Sequence, residues 1–168
     1  VIKSGANALA VATLDEAVFL RDAGIKAPVL VLGAATDSGG LKEAVEKNIS
    51  LTICTKDIAE LLSKQAVSLG HLARIQVKID SGMGRIGLRK DEVQNFIRSL
   101  SQLPGLLIEG VFSHFAVADE QGNTYSEYQL QNFIEALDIL PRNGLGVTVQ
   151  HIANSAAIIT MPESYFDM

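Results

Sequence analysis

A lysine and an aspartate on a predicted strand are the first candidates for chemistry. The stretch 76–80, "QVKID", alternates as a β-strand does, so Gln76, Lys78 and Asp80 share one face. If both faces of the sheet are covered, Lys78 is at least partly buried, and a buried ammonium either finds an anion or loses its proton. On residue type alone, simple pairing of Lys78 with Asp80 or a neighbouring strand is an equally good interpretation.

The connection that follows, "SGMGRIG" at 81–87, combines three glycines with one arginine. Glycine permits left-handed backbone and close ligand approach, and the guanidinium of Arg85 offers a fixed fork to a carboxylate, phosphate or phenolate. Gly82, Gly84 and Gly87 match G-x-G-x-x-G, but no acidic residue closes the next strand to hold a ribose. The Lys-Ser/Thr of a P-loop is missing. A glycine-rich connection with a surface arginine is the alternative.

Two later strands also end in polar residues. His114 lies at the end of "LIEGVFSHF", where an imidazole among phenylalanines is more often a packing residue than a ligand. In "HIANSAA", Ser155 lies where a helix can begin; serine and asparagine are good N-caps, and the amides of a helix start also bind phosphate. A metal site from His114, His151 and Asp80 lacks any H-x-H or H-E-x-x-H spacing, so we predict no metal.

The elements that position these residues alternate in type along the chain. Six β-branched runs are predicted as strands, at 8–13, 28–34, 49–55, 74–80, 107–115 and 147–154. Amphipathic stretches between them are predicted as helices, at 15–24, 38–48, 56–70, 90–103 and 126–140. This alternation indicates a parallel α/β fold. An open doubly wound sheet and an incomplete eight-stranded barrel both fit, and polar residues after three successive strands favour the barrel slightly.

Composition and charge limit the classes of function. Of the 168 residues, 48% are hydrophobic, and the formal net charge is -5. An acidic balance argues against nucleic acid and anionic membranes as partners. The apolar runs are too short to span a bilayer, no secretory signal opens the chain, and the single Cys54 excludes an internal disulfide. We therefore expect a cytoplasmic protein.

The strand ends together carry a basic group, an arginine, an imidazole and a serine, a set that suits a planar, phosphorylated cofactor. Five stretches resemble the N-terminal barrel domain of alanine racemases, which are fold-type III pyridoxal-phosphate enzymes. They are "LAVATLDEA", "PVLVLGA", "VKIDSGMGRIGL", "GVFSHFAVADE" and "HIANSAA". The resemblance implies an incomplete (β/α)₈ barrel over residues 1–168, covering about strands two to seven. Asn154 and Ser155 match the family's "ANS" motif, whose serine binds the phosphate of pyridoxal 5'-phosphate.

The resemblance also implies roles for four residues nearer the substrate. Arg85 corresponds to the arginine that approaches the phenolic oxygen of the cofactor and the substrate carboxylate, and Met83 lies in the loop lining the substrate end. Lys78 is similar to a strand lysine that is often carbamylated. Carbamylation would turn a costly buried cation into an anion beside Arg85. His114 resembles the imidazole that stacks near the cofactor ring.

Other parts of the family's site have no counterpart in these residues. The family's Schiff-base lysine belongs to a "KANAYGHG"-like motif on the first barrel strand, and its catalytic tyrosine lies in a β-rich C-terminal domain and acts from the partner subunit of a homodimer. Neither is found here. We therefore expect that the chain is part of the barrel domain, without the β domain and without either proton-transfer group, and that it is inactive alone.

The implied activity of the parent enzyme is the interconversion of L-alanine and D-alanine, which supplies D-alanine for cell-wall peptidoglycan. Two alternatives remain open. One is a racemase of the same family that acts on serine, on lysine or on several amino acids, and substrate profiling would separate it. The other is a non-catalytic domain that binds the cofactor or supports assembly, and titration with pyridoxal phosphate would test it.

Overall fold

A computed structural model describes residues 1–35, 38–120, 122–142, 144–147 and 149–168. Within these ranges it has six strands: β1 (Leu9–Val11), β2 (Val29–Ala34), β3 (Ser50–Ile53), β4 (Ala73–Lys78), β5 (Leu106–Phe112) and β6 (Val149–His151). They belong to one sheet, in which the strands follow the order of the chain. Pairing is parallel between β1 and β2, between β2 and β3, and between β5 and β6. The predicted strands and the parallel α/β class are confirmed.

Helices alternate with the strands in the same described ranges: α1 (Leu14–Asp22), α2 (Leu41–Glu46), α3 (Lys56–Leu69), α4 (Lys90–Leu100), α5 (Tyr125–Leu137), α6 (Ile139–Arg142) and α7 (Ser155–Thr160). The five predicted helices are confirmed, with one difference. The helix predicted over 126–140 ends at Leu137, and the short α6 follows with Pro141 in its first turn, where proline is tolerated. None of the described helices has the length and apolar run that crossing a membrane requires.

The first of two compact units comprises Val1–Gln76 and Gln102–Ile108. Every residue of β3 is buried. Because successive side chains of a strand point to opposite faces, the sheet is covered on both faces at β3. This explains why the strands appear in the sequence as continuous apolar runs rather than as an apolar and polar alternation.

Arg21 near the end of α1 fixes the backbone of two turns in this unit. Its guanidinium donates hydrogen bonds to the carbonyl oxygens of Ile25 (2.9 Å), Ala27 (2.7 Å), Lys47 (2.9 Å) and Asn48 (2.8 Å). A fork of charged donors therefore satisfies four acceptors at the ends of α1 and α2. Nothing in the sequence pattern distinguished this arginine from a solvated helix residue.

The second unit comprises Val77–Ser101 and Glu109–Met168. Residues Gly110, Val111 and Phe112 of β5 pair in register with Val149, Gln150 and His151 of β6. Helices α4 and α5 pack together in this unit. Its most buried large side chains are Ile79, Ile97, Leu100, Phe115, Phe133, Leu140 and Ile152.

Candidate functional site

The connection after β4 forms a closed loop whose two ends are bonded to each other. Ile79 and Leu88 form an isolated parallel bridge. The amide of Asp80 donates to the carbonyl of Leu88 (2.8 Å), and the amide of Leu88 donates to the carbonyl of Lys78 (2.9 Å). The intervening residues 80–87, called the glycine loop below, are therefore anchored directly at the end of β4.

Glycines and one carboxylate determine the path of the glycine loop. Gly82, Gly84 and Gly87 have φ angles of 142°, 70° and 126°, which favour glycine. A Cβ at Gly87 would lie 2.5 Å from the amide nitrogen of Asp80, so a side chain there would force the backbone to shift. Oδ1 of Asp80 accepts hydrogen bonds from the amides of Gly82 and Gly84, both at 3.0 Å. In this path the exposed Arg85 and the half-buried Met83 are presented at the end of β4.

Lys78, Phe112 and His151 are the last residues of β4, β5 and β6, and their side chains form a stack. Lys78 is only 4% exposed, which confirms the predicted burial. Its Nζ lies 4.2 Å from the centroid of the Phe112 ring, a cation–π contact. The rings of Phe112 and His151 are 4.7 Å apart with an interplanar angle of 6°. The carboxyl ends of the three strands are thus joined by one column of side chains.

Both histidines at these strand ends have lowered pKa values. Burial lowers the pKa of His114, and the positive charges of Lys78 and Arg85 lower it further. Burial and the charge of Lys78 lower the pKa of His151 to about 4, against a weaker opposing effect of Asp167. Both imidazoles are therefore mostly neutral at pH 7. The positive charges of Lys78 and Arg85 also make the surroundings of His114 favourable for an anion.

The start of α7 lies directly after β6. Asn154 is its N-cap, and Oδ1 of Asn154 accepts a hydrogen bond from the amide of Ala157 at 3.0 Å. Ser155 is the first helical residue and is exposed. The helix start predicted at Ser155 is confirmed. An exposed hydroxyl beside the amides of a first helical turn is a suitable arrangement for a phosphate group.

Two buried serines that sequence reasoning missed connect the ends of β4 and β5. The Ser113 hydroxyl donates to the carbonyl of Ile79 at 2.9 Å, and the hydroxyls of Ser81 and Ser113 lie 2.7 Å apart in a hydrogen bond. Both serines are 3% exposed. Their positions within three residues of a strand end were the only available signal, and that signal does not distinguish a bonded serine from a solvated turn residue.

The structure brings every predicted site residue into the second unit: Lys78, Met83, Arg85, His114, Asn154 and Ser155. They lie on strand ends, on the connections that follow, or at a helix start. Their assignment to a cofactor or a substrate stays a prediction. Over the described part of the chain, no three histidine, cysteine, aspartate or glutamate residues gather as a metal site would require.

The family model for the N-terminal domain of alanine racemase matches residues 1–168. The chain is 44% identical over 167 residues to the alanine racemase of Clostridium tetani, and the match covers 99% of this chain and 43% of that protein. A solved alanine racemase from Clostridium difficile 630, in complex with cycloserine, has a TM-score of 0.94 at 36% identity, covering 99% of this chain and 46% of the other.

A histidine racemase from Leuconostoc mesenteroides subsp. sake is also similar, with a TM-score of 0.76 at 29% identity over 93% of this chain and 41% of that one. The solved structures confirm the predicted fold class, an incomplete (β/α)₈ barrel. The chain spans less than half the length of each of these relatives.

Proposed function

The chain belongs to the family of alanine racemase N-terminal domains, and we propose that the whole protein containing it is a pyridoxal-phosphate-dependent alanine racemase. The observation that carries the proposal is that one unit contains the glycine loop with Arg85, the buried Lys78, and Ser155 at the start of α7. In the same proposal the protein is a cytoplasmic homodimer, and the D-alanine that it produces is used to build peptidoglycan.

The residues present fit a flat, phosphorylated anion. The Ser155 hydroxyl and the first amides of α7 would hold the phosphate. The imidazole of His114 has a lowered pKa, so it can lie against an aromatic ring at pH 7 without introducing a charge. Arg85 would take the phenolic oxygen and the carboxylate of an amino acid with its planar fork, and Met83 would line the substrate end.

Lys78 has a supporting role in this proposal. Its amine would take up carbon dioxide, forming an N–C bond and releasing one proton to solvent, and the resulting carbamate would be an anion that orients Arg85. Burial supports this assignment, since a cation with 4% exposure is costly unless it is compensated. Contact with Phe112 provides part of that compensation for the unmodified amine.

Pyridoxal 5'-phosphate, when bound, supplies an electron sink that makes the α-proton of an amino acid acidic. The residues of this chain bind and orient the reactants around that proton. We assign no proton-transfer step to any of residues 1–168, and by family resemblance we assign those steps to a lysine and a tyrosine outside them.

The test is a titration of the cofactor-free, full-length protein with pyridoxal phosphate, followed by measurement of alanine racemisation on a chiral column. Arg85→Ala and Ser155→Ala should each weaken cofactor binding at least about 10-fold, because each removes a charged or helix-start contact. Arg142→Ala, at an exposed position of α6, is the matched control and should bind like the unchanged protein. Equal binding by all four proteins would contradict the proposed site.

A second candidate is a racemase for another amino acid, which the likeness to a histidine racemase favours. Profiling the common amino acids separates the two candidates. Alanine should be turned over fastest, and faster racemisation of histidine, serine or lysine would replace the alanine assignment. Cofactor binding without racemisation of any amino acid would favour the non-catalytic alternative.

A further inference from the structure

Helix α5 carries three polar side chains along one face, and all three bond to the backbone of other segments. Tyr125, Gln129 and Asn132 are separated by four and three residues, the spacing that places side chains on the same side of a helix. Gln129 is 0% exposed. A buried amide in an amphipathic helix is costly unless its hydrogen bonds are made, so its partners indicate why it is there.

Two of these side chains hold the glycine loop. The Tyr125 hydroxyl donates to the carbonyl of Gly82 at 2.7 Å, and Nδ2 of Asn132 donates to the carbonyl of Ser81 at 3.0 Å. The approach at Gly82 is close, because a Cβ there would lie 2.9 Å from the Tyr125 hydroxyl. The backbone that leads to Arg85 is therefore held by α5 as well as by the carboxylate of Asp80, which bonds to the amides of Gly82 and Gly84.

Gln129 holds a second loop, residues 113–118 after β5, which carries His114 and is called the histidine loop below. Oε1 of Gln129 accepts from the amide of Ala116 at 2.8 Å, and Nε2 donates to the carbonyl of His114 at 3.2 Å. Its Cγ would also lie 3.2 Å from a Cβ at Gly82. Gln129 therefore bonds to the histidine loop and packs against the glycine loop at the same time.

We propose that Gln129 is a positioning residue that couples the glycine loop to the histidine loop, so that Arg85 and His114 are placed together. Opening of either loop separates it from the same face of α5 and also breaks the hydrogen bond between Ser81 and Ser113 that joins the loops directly. The two loops therefore open as one cooperative unit. The identity of the ligand that Arg85 and His114 meet rests on the proposed function. The coupling of the two loops does not.

Hydrogen–deuterium exchange of the full-length protein without cofactor tests the coupling directly. Gln129→Met keeps the length of the side chain but removes both hydrogen bonds. Exchange at the amides of Gly82 and Gly84 should accelerate about 10-fold or more. These amides donate to Asp80 and not to Gln129, so their acceleration reports coupling rather than the loss of their own acceptor.

The matched control is Gln131→Met, the same substitution on the exposed side of α5, where the amide of Gln131 donates a hydrogen bond to Glu135 of the same helix. It should leave exchange in both loops unchanged. Acceleration confined to the histidine loop in Gln129→Met would overturn the coupling. Equal acceleration throughout the protein would overturn it too, since that pattern indicates global destabilisation.

Tyr125→Phe provides a second variant if Gln129→Met does not fold. Loss of one hydroxyl donor should accelerate exchange in the glycine loop by about 5-fold. Through Gln129 and the Ser81–Ser113 hydrogen bond, exchange in the histidine loop should accelerate by the same factor. The control is Tyr128→Phe, one turn along the same helix, which should leave both loops unchanged. Acceleration in the glycine loop alone would contradict the coupling.

Cofactor affinity gives an independent readout by a double-mutant cycle with Arg85→Ala. In the protein that retains Arg85, Gln129→Met should weaken pyridoxal phosphate binding about 10-fold. In the Arg85→Ala variant, the same substitution should weaken binding about 2-fold or less. Equal effects in both backgrounds would contradict positioning through Arg85. If no cofactor binds but both loops accelerate together, the proposed function fails and the coupling stands.

Discussion

Acid should destabilise the folded protein in part through the buried imidazole of His151. Its side chain stacks on Phe112 and is 9% exposed. Burial and the nearby charge of Lys78 lower its pKa from 6.5 to about 4. In the unfolded chain the imidazole binds a proton as the pH falls below about 6.5, whereas in the folded chain it remains neutral until about pH 4.

The sign and size of the effect follow from this difference in proton binding. Above pH 6.5 neither state is protonated at His151, and its contribution to stability is fully retained. As the pH falls from 6.5 to 4, the unfolded state alone gains the proton, and the free energy of unfolding decreases. A pKa lowered by about 2.5, at about 1.4 kcal/mol per pH unit, corresponds to about 3.5 kcal/mol in full. About 3 kcal/mol of it is lost by pH 4, where the folded state begins to bind the proton too.

Urea unfolding of the full-length protein at pH 7 and pH 4 measures this loss, in buffer free of bicarbonate so that Lys78 keeps its unmodified, positively charged amine. His151→Phe keeps an aromatic ring for the stack but cannot bind a proton, so the unchanged protein should lose about 3 kcal/mol more than this variant between the two pH values. His71→Phe, at an exposed histidine, should behave like the unchanged protein. Lys78→Met removes one cause of the lowered pKa and should reduce the acid loss. Identical pH dependence in His151→Phe and the unchanged protein would refute the reasoning.

Three further predictions concern the backbone supports and the buried lysine. Arg21→Met should lower the free energy of unfolding by about 3 kcal/mol, because four carbonyls lose charged donors. Arg142→Met, at an exposed position, should change it by less than about 0.5 kcal/mol. Equal urea midpoints for the two variants would refute this prediction. Gly87→Ala should lower the free energy of unfolding by about 3 kcal/mol, because the new Cβ would collide with the backbone of Ile79 and Asp80. Gly84→Ala should lower it by about 1 kcal/mol, because only its positive φ is unfavourable for alanine. Equal losses for the two variants would exclude the collision at Gly87. In bicarbonate buffer, native mass spectrometry should find the protein heavier by one carbon dioxide, and Lys78→Arg should abolish that increment; an unmodified mass would exclude the carbamate.

The fold was predictable to the extent that local pattern determines it. Buried parallel strands give β-branched runs bounded by turn residues, and this pattern located all six predicted strands. The division of the helix predicted at 126–140 was missed because Pro141 was interpreted as a stop rather than as part of a new first turn. Helix α7, with six residues, is too short for periodicity to reveal, since helices of that length depend on tertiary packing.

The candidate site was predictable in its positions but not in its contacts. Strand ends placed Lys78 and His114 near the site, and the burial of Lys78 followed from alternation. The stack on Phe112 depends on the register that sets Phe112 opposite His151, and no local signal specifies that pairing across separate strands. The inward position of Gln129 is equally hidden, because a glutamine in an amphipathic helix resembles a surface residue until the loops packed against it are known.

The most direct test of the central claim is the conversion of pure L-alanine by the purified, full-length natural protein, followed on a chiral column with and without added pyridoxal phosphate. D-alanine should form, the activity should depend on the cofactor, and Arg85→Ala should reduce it at least about 10-fold while Arg142→Ala leaves it unchanged. Absence of D-alanine from a folded protein saturated with pyridoxal phosphate would contradict the assignment of this chain to an active alanine racemase.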